Sequence, residues 1–154
     1  MSEPESIAAA LAFNREKRPS RLLLVDASLQ GYATFDAARE YSPKELEPYD
    51  AFADRFVRAV ECSLRYMRSL EMAQFAEQSE STRSLLDRME KLGVVSSAGL
   101  WMQMRNIRNR IVRDYLPQQV ADMFELRRGC CGCRRSCNVF VRGFLTRLAT
   151  RCAP

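Results

Sequence analysis

Ser42-Pro43-Lys44-Glu45 opens the segment SPKELEPYDAFADRFVRAVECSLRYMRSLEMAQFAEQ, residues 42–78, which carries the clearest fold signal in the chain. Serine can cap a helix, proline suits its first turn, and a glutamate three residues after the serine completes a capping box. Phe52, Phe56, Val60, Leu64, Met67 and then Leu70 or Glu71 recur at three or four residues, so one helical face is apolar over many turns. This is the longest predicted helix, ending near residues 74–78, with Pro48 expected to delay its main part by a turn.

On the N-terminal side, residues 4–17 read as a short amphipathic helix, broken at Arg18-Pro19-Ser20. A second apolar face follows through Leu22, Val25, Leu29, Tyr32 and Phe35, with Gly31 a tolerable blemish costing about 1 kcal/mol. On the C-terminal side, Ser81 can cap a helix bearing Leu85, Leu86, Met89 and Leu92, and Gly93 stands where a left-handed residue ends a helix. Ser96 or Ser97 starts the next, through Leu100, Trp101, Met104, Ile107, Ile111 and Tyr115, until Leu116-Pro117 ends or kinks it. A last piece over residues 117–127 carries Val120, Met123 and Leu126. Short links between amphipathic helices predict an all-α, antiparallel helical bundle.

Composition agrees. The chain has 154 residues, 47% of them hydrophobic, enough for one domain with a sizeable core. Glycine and proline number six each, too few for a sandwich or barrel with many tight turns. No apolar run approaches the roughly 18 residues that a membrane span requires. The acidic N-terminus has no signal-peptide layout, so a cytoplasmic protein without membrane attachment is expected.

The net charge of +5 is unevenly placed. Residues 125–154 hold seven Arg and one Glu, leaving 17 basic and 18 acidic side chains in residues 1–124. Five of the six cysteines also fall in this end, as Cys130, Cys131, Cys133, Cys137 and Cys152. Residues 1–128 therefore read as the bundle and residues 129–154 as an irregular cysteine- and arginine-rich tail, a divergent or frameshifted end. Zinc held by Cys130, Cys133, Cys137 and Cys152 is the sharper alternative for it. Only Cys130 and Cys133 have the C-x2-C spacing, so no metal site and no cofactor are expected. Disulfides do not suit a reducing cytoplasm.

The chain contains no histidine, which removes the commonest acid–base group and the commonest metal ligand. Its most distinctive chemistry lies in the motif helix, about residues 97–116. There Arg105, Arg108, Arg110 and Arg113 accompany Asn109 and Tyr115. At about 100° per residue, Arg108 and Tyr115 share one face, and Asn109 and Arg113 share an adjoining strip. Guanidinium and amide groups suit phosphate and nucleotide edges. By periodicity alone, the same strip also reads as a polar face meeting water or a partner.

Arg108-Asn109-Arg110-Ile111-Val112-Arg113-Asp114-Tyr115 resembles the Arg-Asn-x-x-x-His-x-Tyr signature of the HEPN superfamily, in particular its HepT-like branch of toxins and nucleotidyltransferase-associated proteins. The segment LLDRMEKLGVVSSAGLWMQMRNIRN, residues 85–109, is also similar to that branch, and the resemblance spans roughly residues 50–126. It implies a HEPN-type bundle and a homodimer that brings two motif helices together over RNA as a metal-independent endoribonuclease. It also implies a partner nucleotidyltransferase antitoxin of the MNT type, which places AMP on the tyrosine matched by Tyr115.

In such an enzyme the histidine takes the proton of a 2′-hydroxyl and the arginine steadies charge on the phosphorus. Arg108 and Asn109 match the signature, and Arg113 replaces the histidine. Its guanidinium keeps its proton at working pH, so it cannot act as the base. Loss of a general base is worth about 100- to 10,000-fold in rate. The resemblance therefore implies an impaired ribonuclease that contacts RNA through Arg105, Arg108, Arg110 and Arg113. A non-enzymatic module that docks a nucleotidyltransferase or RNA is the alternative.

The composition break at residue 129 makes a direct prediction. A chain ending at Arg128 should melt within about 2 °C of the full chain, since a tail outside the core contributes little to cooperative unfolding. A larger loss by circular dichroism would place the tail in the core.

Overall fold

The computed structural model describes residues 3–31, 33, 35–36, 38–113 and 120–122. Four helices account for most of them: α1 (Glu3–Gly31), α2 (Pro43–Phe75), α3 (Thr82–Lys91) and α4 (Ala98–Arg113). Residues 120–122 are also helical, and no strand occurs among the described residues. None of these helices is long and apolar enough to cross a membrane.

The start of α2 follows from its capping box. The Ser42 side chain accepts from the Glu45 amide at 3.4 Å, and the Glu45 carboxylate accepts from the Ser42 amide at 2.9 Å. The Ser42 amide, and the Ser42 hydroxyl donating at 2.7 Å, hold the Glu45 carboxyl below its ordinary pKa. Pro48 does not delay the helix, which is continuous from Pro43. Proline six positions into a helix removes a single bond, the one to the Lys44 carbonyl, and Lys44 is exposed so that water can satisfy it. Beyond it, Phe52, Phe56, Val60, Met67 and Leu70 are buried as their spacing requires. Leu64 is only half-buried, at the edge of that face.

The predicted break at Arg18-Pro19-Ser20 is absent, and α1 runs through it as one helix of 29 residues. Leu11 before the proline and Leu22 and Val25 after it pack on the same core, which splints the helix across the missing hydrogen bond. α1 and α2 form an antiparallel hairpin, the most extensive helix contact in the protein. Arg55 of α2 reaches the hydroxyl of Ser28 at 2.6 Å, and the Tyr49 hydroxyl reaches the Ala33 carbonyl at 3.2 Å. Moving forward along one segment thus means moving back along the other.

The apolar face expected to continue helically to Phe35 stops earlier, because α1 ends at Gly31. Phe35 is nevertheless buried. Its ring stacks on Tyr41 at 4.8 Å between centroids and meets Tyr49 edge-on at 5.0 Å. Aromatic packing, and not helix, fixes it in the link.

At the other end of α2 a charge is buried. Glu71 is fully buried, with one carboxylate oxygen 3.1 Å from the Arg88 guanidinium of α3 and the other accepting from the Ser79 amide at 3.0 Å. The Ser79 hydroxyl also donates to it. Arg88 in turn lies over the Phe75 ring. To let Ser79 fold back, the chain leaves α2 through Ala76 in the left-handed region, at φ 53°.

α3 begins at the Ser81 cap, whose hydroxyl accepts from the Ser84 amide at 3.0 Å. It buries Leu85, Leu86 and Met89 and ends in a Schellman turn. The Val94 amide bonds the Met89 carbonyl, the Gly93 amide bonds the Glu90 carbonyl, and Gly93 takes φ 69°. A Cβ at that φ would be strained, which is why glycine belongs there. In the core, Trp101, Met104 and Ile107 of α4 join the buried residues of α2 and α3, and Val120 adds to them. The remainder of the predicted piece at 117–127, the Leu116-Pro117 break, Tyr32 and the tail at 129–154 lie outside the described residues.

The two arginines of α3 provide a contrast. Arg88→Met should strand the buried Glu71 carboxylate and cost about 3 kcal/mol. Arg83→Met, removing an exposed pair with Asp87, should cost at most about 0.5 kcal/mol. Urea unfolding of both variants checks this, and equal losses would refute the role given to Glu71.

Candidate nucleic-acid interface

The orientation of α4 follows from what it buries. Ser97 caps it, its hydroxyl accepting from the Leu100 amide at 3.2 Å, and Glu90 of α3 takes the Ala98 amide at 3.0 Å. Trp101, Met104 and Ile107 then form the buried stripe, with Ile111 half-buried after it. The remaining faces hold four arginines and no carboxylate.

The four are not equivalent. Arg108 borders the core, with 28% of its side chain exposed. Its Nη2 donates to Oε1 of Glu61 on α2, and its Nη1 donates to Oδ1 of Asn109 at 2.8 Å. Its Nε is buried and has no acceptor among the described residues. Arg110 points elsewhere, pairing with Asp122 at 2.8 Å and so tying α4 to the helical turn at 120–122. Arg105 is half-buried and Arg113 exposed, and neither makes an ion pair among the described residues. Arg105, Asn109 and Arg113 follow one another at four-residue spacing and make one strip along α4.

Of the residues singled out in the sequence, the structure therefore brings Arg108 and Asn109 into direct contact and places Arg105 one turn before them. Arg110 is drawn to a different side. Tyr115 lies outside the described residues. As a chemical array, the strip offers permanently charged and amide donors. It contains no group that titrates near neutral pH.

Glu61 is the participant that the sequence reading missed. It stands 47 positions from Arg108, too far for any local pattern to join them. One signal was present. Residues 55–70 contain Arg55, Arg58, Arg65 and Arg68, and Glu61 is the single carboxylate among them. An acid isolated among bases over four turns of a helix is a candidate for a specific cross-helix pair.

No group of three or more His, Cys, Asp or Glu side chains among the described residues could hold a metal ion. The tail cysteines lie outside them. Comparison with protein-family models, with curated proteins and with solved structures found no match. The likeness to the HEPN superfamily thus rests on the residues of the motif helix and its approach.

Proposed function

We propose that this chain is a HepT-like component of a toxin–antitoxin pair. On this reading it binds RNA through the arginines of α4 as a homodimer and cleaves it slowly or not at all. The observation that carries the reading is the side chain at position 113. The HEPN-like signature requires a base there, whereas this chain presents an exposed guanidinium and has no imidazole anywhere. A guanidinium attracts phosphate but cannot take a proton from a 2′-hydroxyl. Histidine can, because its ordinary pKa is about 6.5. The absence of carboxylates from α4 adds support, since nothing on that helix repels a phosphate backbone.

The engagement of Arg108 by Glu61 and Asn109 favours binding over catalysis within this reading. An arginine that must steady a phosphorane has to be available when that charge forms. In the free protein its Nη groups are held by Glu61 and Asn109, so Arg108 serves a phosphorane only after Glu61 gives way.

The test is an end-labelled RNA followed over time without metal. The unaltered protein should retard the RNA in a salt-dependent manner, as phosphate contacts require, and leave it intact. Arg113→His should introduce metal-independent cleavage, and adding Arg108→Ala should abolish it. Rapid cleavage by the unaltered protein, lost in Arg108→Ala, would overturn the assignment of position 113. If Arg113→His stays inert while folded and dimeric, the docking of a partner nucleotidyltransferase replaces ribonuclease ancestry as the explanation of the α4 face.

A further inference from the structure

Among the described residues of α4, Arg108 alone has a guanidinium that is held by another helix and also left incomplete. The edge formed by Nε and Nη2 presents two parallel N–H bonds, the arrangement that grips a carboxylate or phosphate at two points. Glu61 fills one of them, at Nη2. The other, at Nε, is buried without an acceptor. A buried donor left unpaired costs more than an ordinary hydrogen bond returns, so this pair is short of the best the fork can make.

The pair is also accessible. Glu61 keeps 32% of its side chain exposed, so its carboxylate can swing into water without a large desolvation change. The surroundings favour an anion. On α2, Arg58 and Arg65 stand three residues before and four after Glu61, and on α4, Arg105 stands three before Arg108. Arg58 is paired with Asp54, whereas Arg65 and Arg105 make no ion pair among the described residues.

We propose that Glu61 occupies a phosphate site, in which Arg108 is the two-point ligand and Arg65 and Arg105 are the flanking charges. A phosphate oxyanion enters by displacing the Glu61 carboxylate and filling both Nε and Nη2. Glu61 is the residue that sets how tightly the site accepts it. This rests on the RNA-binding reading for its natural ligand, but the chemistry is that of any tetrahedral phosphate, free or in a phosphodiester.

Two measurements test it. In the first, a fluorescein-labelled single-stranded RNA is titrated into the full chain. Glu61→Gln should tighten binding about tenfold, the effect of one charge-assisted hydrogen bond gained by the fork. Asp50→Asn removes an equal charge from an exposed position about three turns earlier on the same helix and should change binding by less than about twofold, since an exposed charge is screened. In an Arg108→Ala background the gain from Glu61→Gln should disappear. A gain that persists there, or one matched by Asp50→Asn, would reduce the effect to net charge and overturn the proposal.

The second measurement uses the unaltered protein and inorganic pyrophosphate, and so does not depend on the fold of any variant. The Nε–Hε NMR signal of Arg108 should move saturably, and that of Arg83, paired with Asp87 on the surface, should not. A stationary Arg108 signal overturns the site. If that signal follows pyrophosphate while RNA binds to no variant, the phosphate site stands and the RNA reading falls. If RNA binds but Glu61→Gln leaves its affinity within about twofold, the RNA reading stands and the site falls.

Discussion

A carboxylate with no access to water constrains the centre of this protein. Glu71 lies at the end of α2, fully buried, and a buried charge persists only with a counter-charge and hydrogen bonds at hand. Its partners come from two other segments, Arg88 of α3 and Ser79 of the link between the helices. Satisfying it requires the chain to reverse immediately after α2, which it does through the left-handed Ala76, and requires α3 to present Arg88 inward. Once α3 is so placed, Leu85, Leu86 and Met89 meet the core, and the Schellman turn at Gly93 sends the chain into α4. The position of α4 thus descends from one electrostatic demand at the end of α2.

The second glutamate of α2 shows what a small change in burial does to the same chemistry. Glu61 also meets an arginine across a helix interface, but both partners remain about one-third exposed. Water reaches both partners of that pair, whereas in the Glu71 pair it reaches Arg88 and not the carboxylate. The two Glu–Arg pairs therefore have different consequences. The buried one fixes the fold. The half-exposed one lies beside a buried Nε that has no acceptor among the described residues.

This difference also bears on the arginines of α4, which look alike in sequence. Asp122 takes Arg110 and Glu61 takes Arg108, so two of the four charges are used to join elements of the protein. Arg105 and Arg113, on a common strip with Asn109, make no ion pair among the described residues. A net charge count over α4 would therefore overstate the charge that the helix leaves unpaired.

Much of the architecture is local and was legible from the residues: the capping box at Ser42 and Glu45, the cap at Ser81, the start of α4 at Ser96 or Ser97, the left-handed Gly93, and the apolar stripes of α2, α3 and α4. Each depends on atoms within about five positions of one another, and spacing alone expresses that. The motif residues were legible in the same way, since Arg105, Arg108, Asn109 and Arg113 share a helix. What the sequence could not decide depended on distant partners. Pro19 and Pro48 read as interruptions because the packing of Leu11, Leu22 and Val25 and the exposure of the Lys44 carbonyl's surroundings are absent from a linear pattern. Phe35 read as part of a helix because only Tyr41 and Tyr49, folded back on it, make the link a buried place for a ring. Whether Arg108 is open to an anion was decided by Glu61, 47 positions away, and whether Glu71 is a surface or a core residue was decided by Arg88. Local geometry is written in spacing, whereas the state of a charge is set by whatever the fold brings within a few ångströms of it.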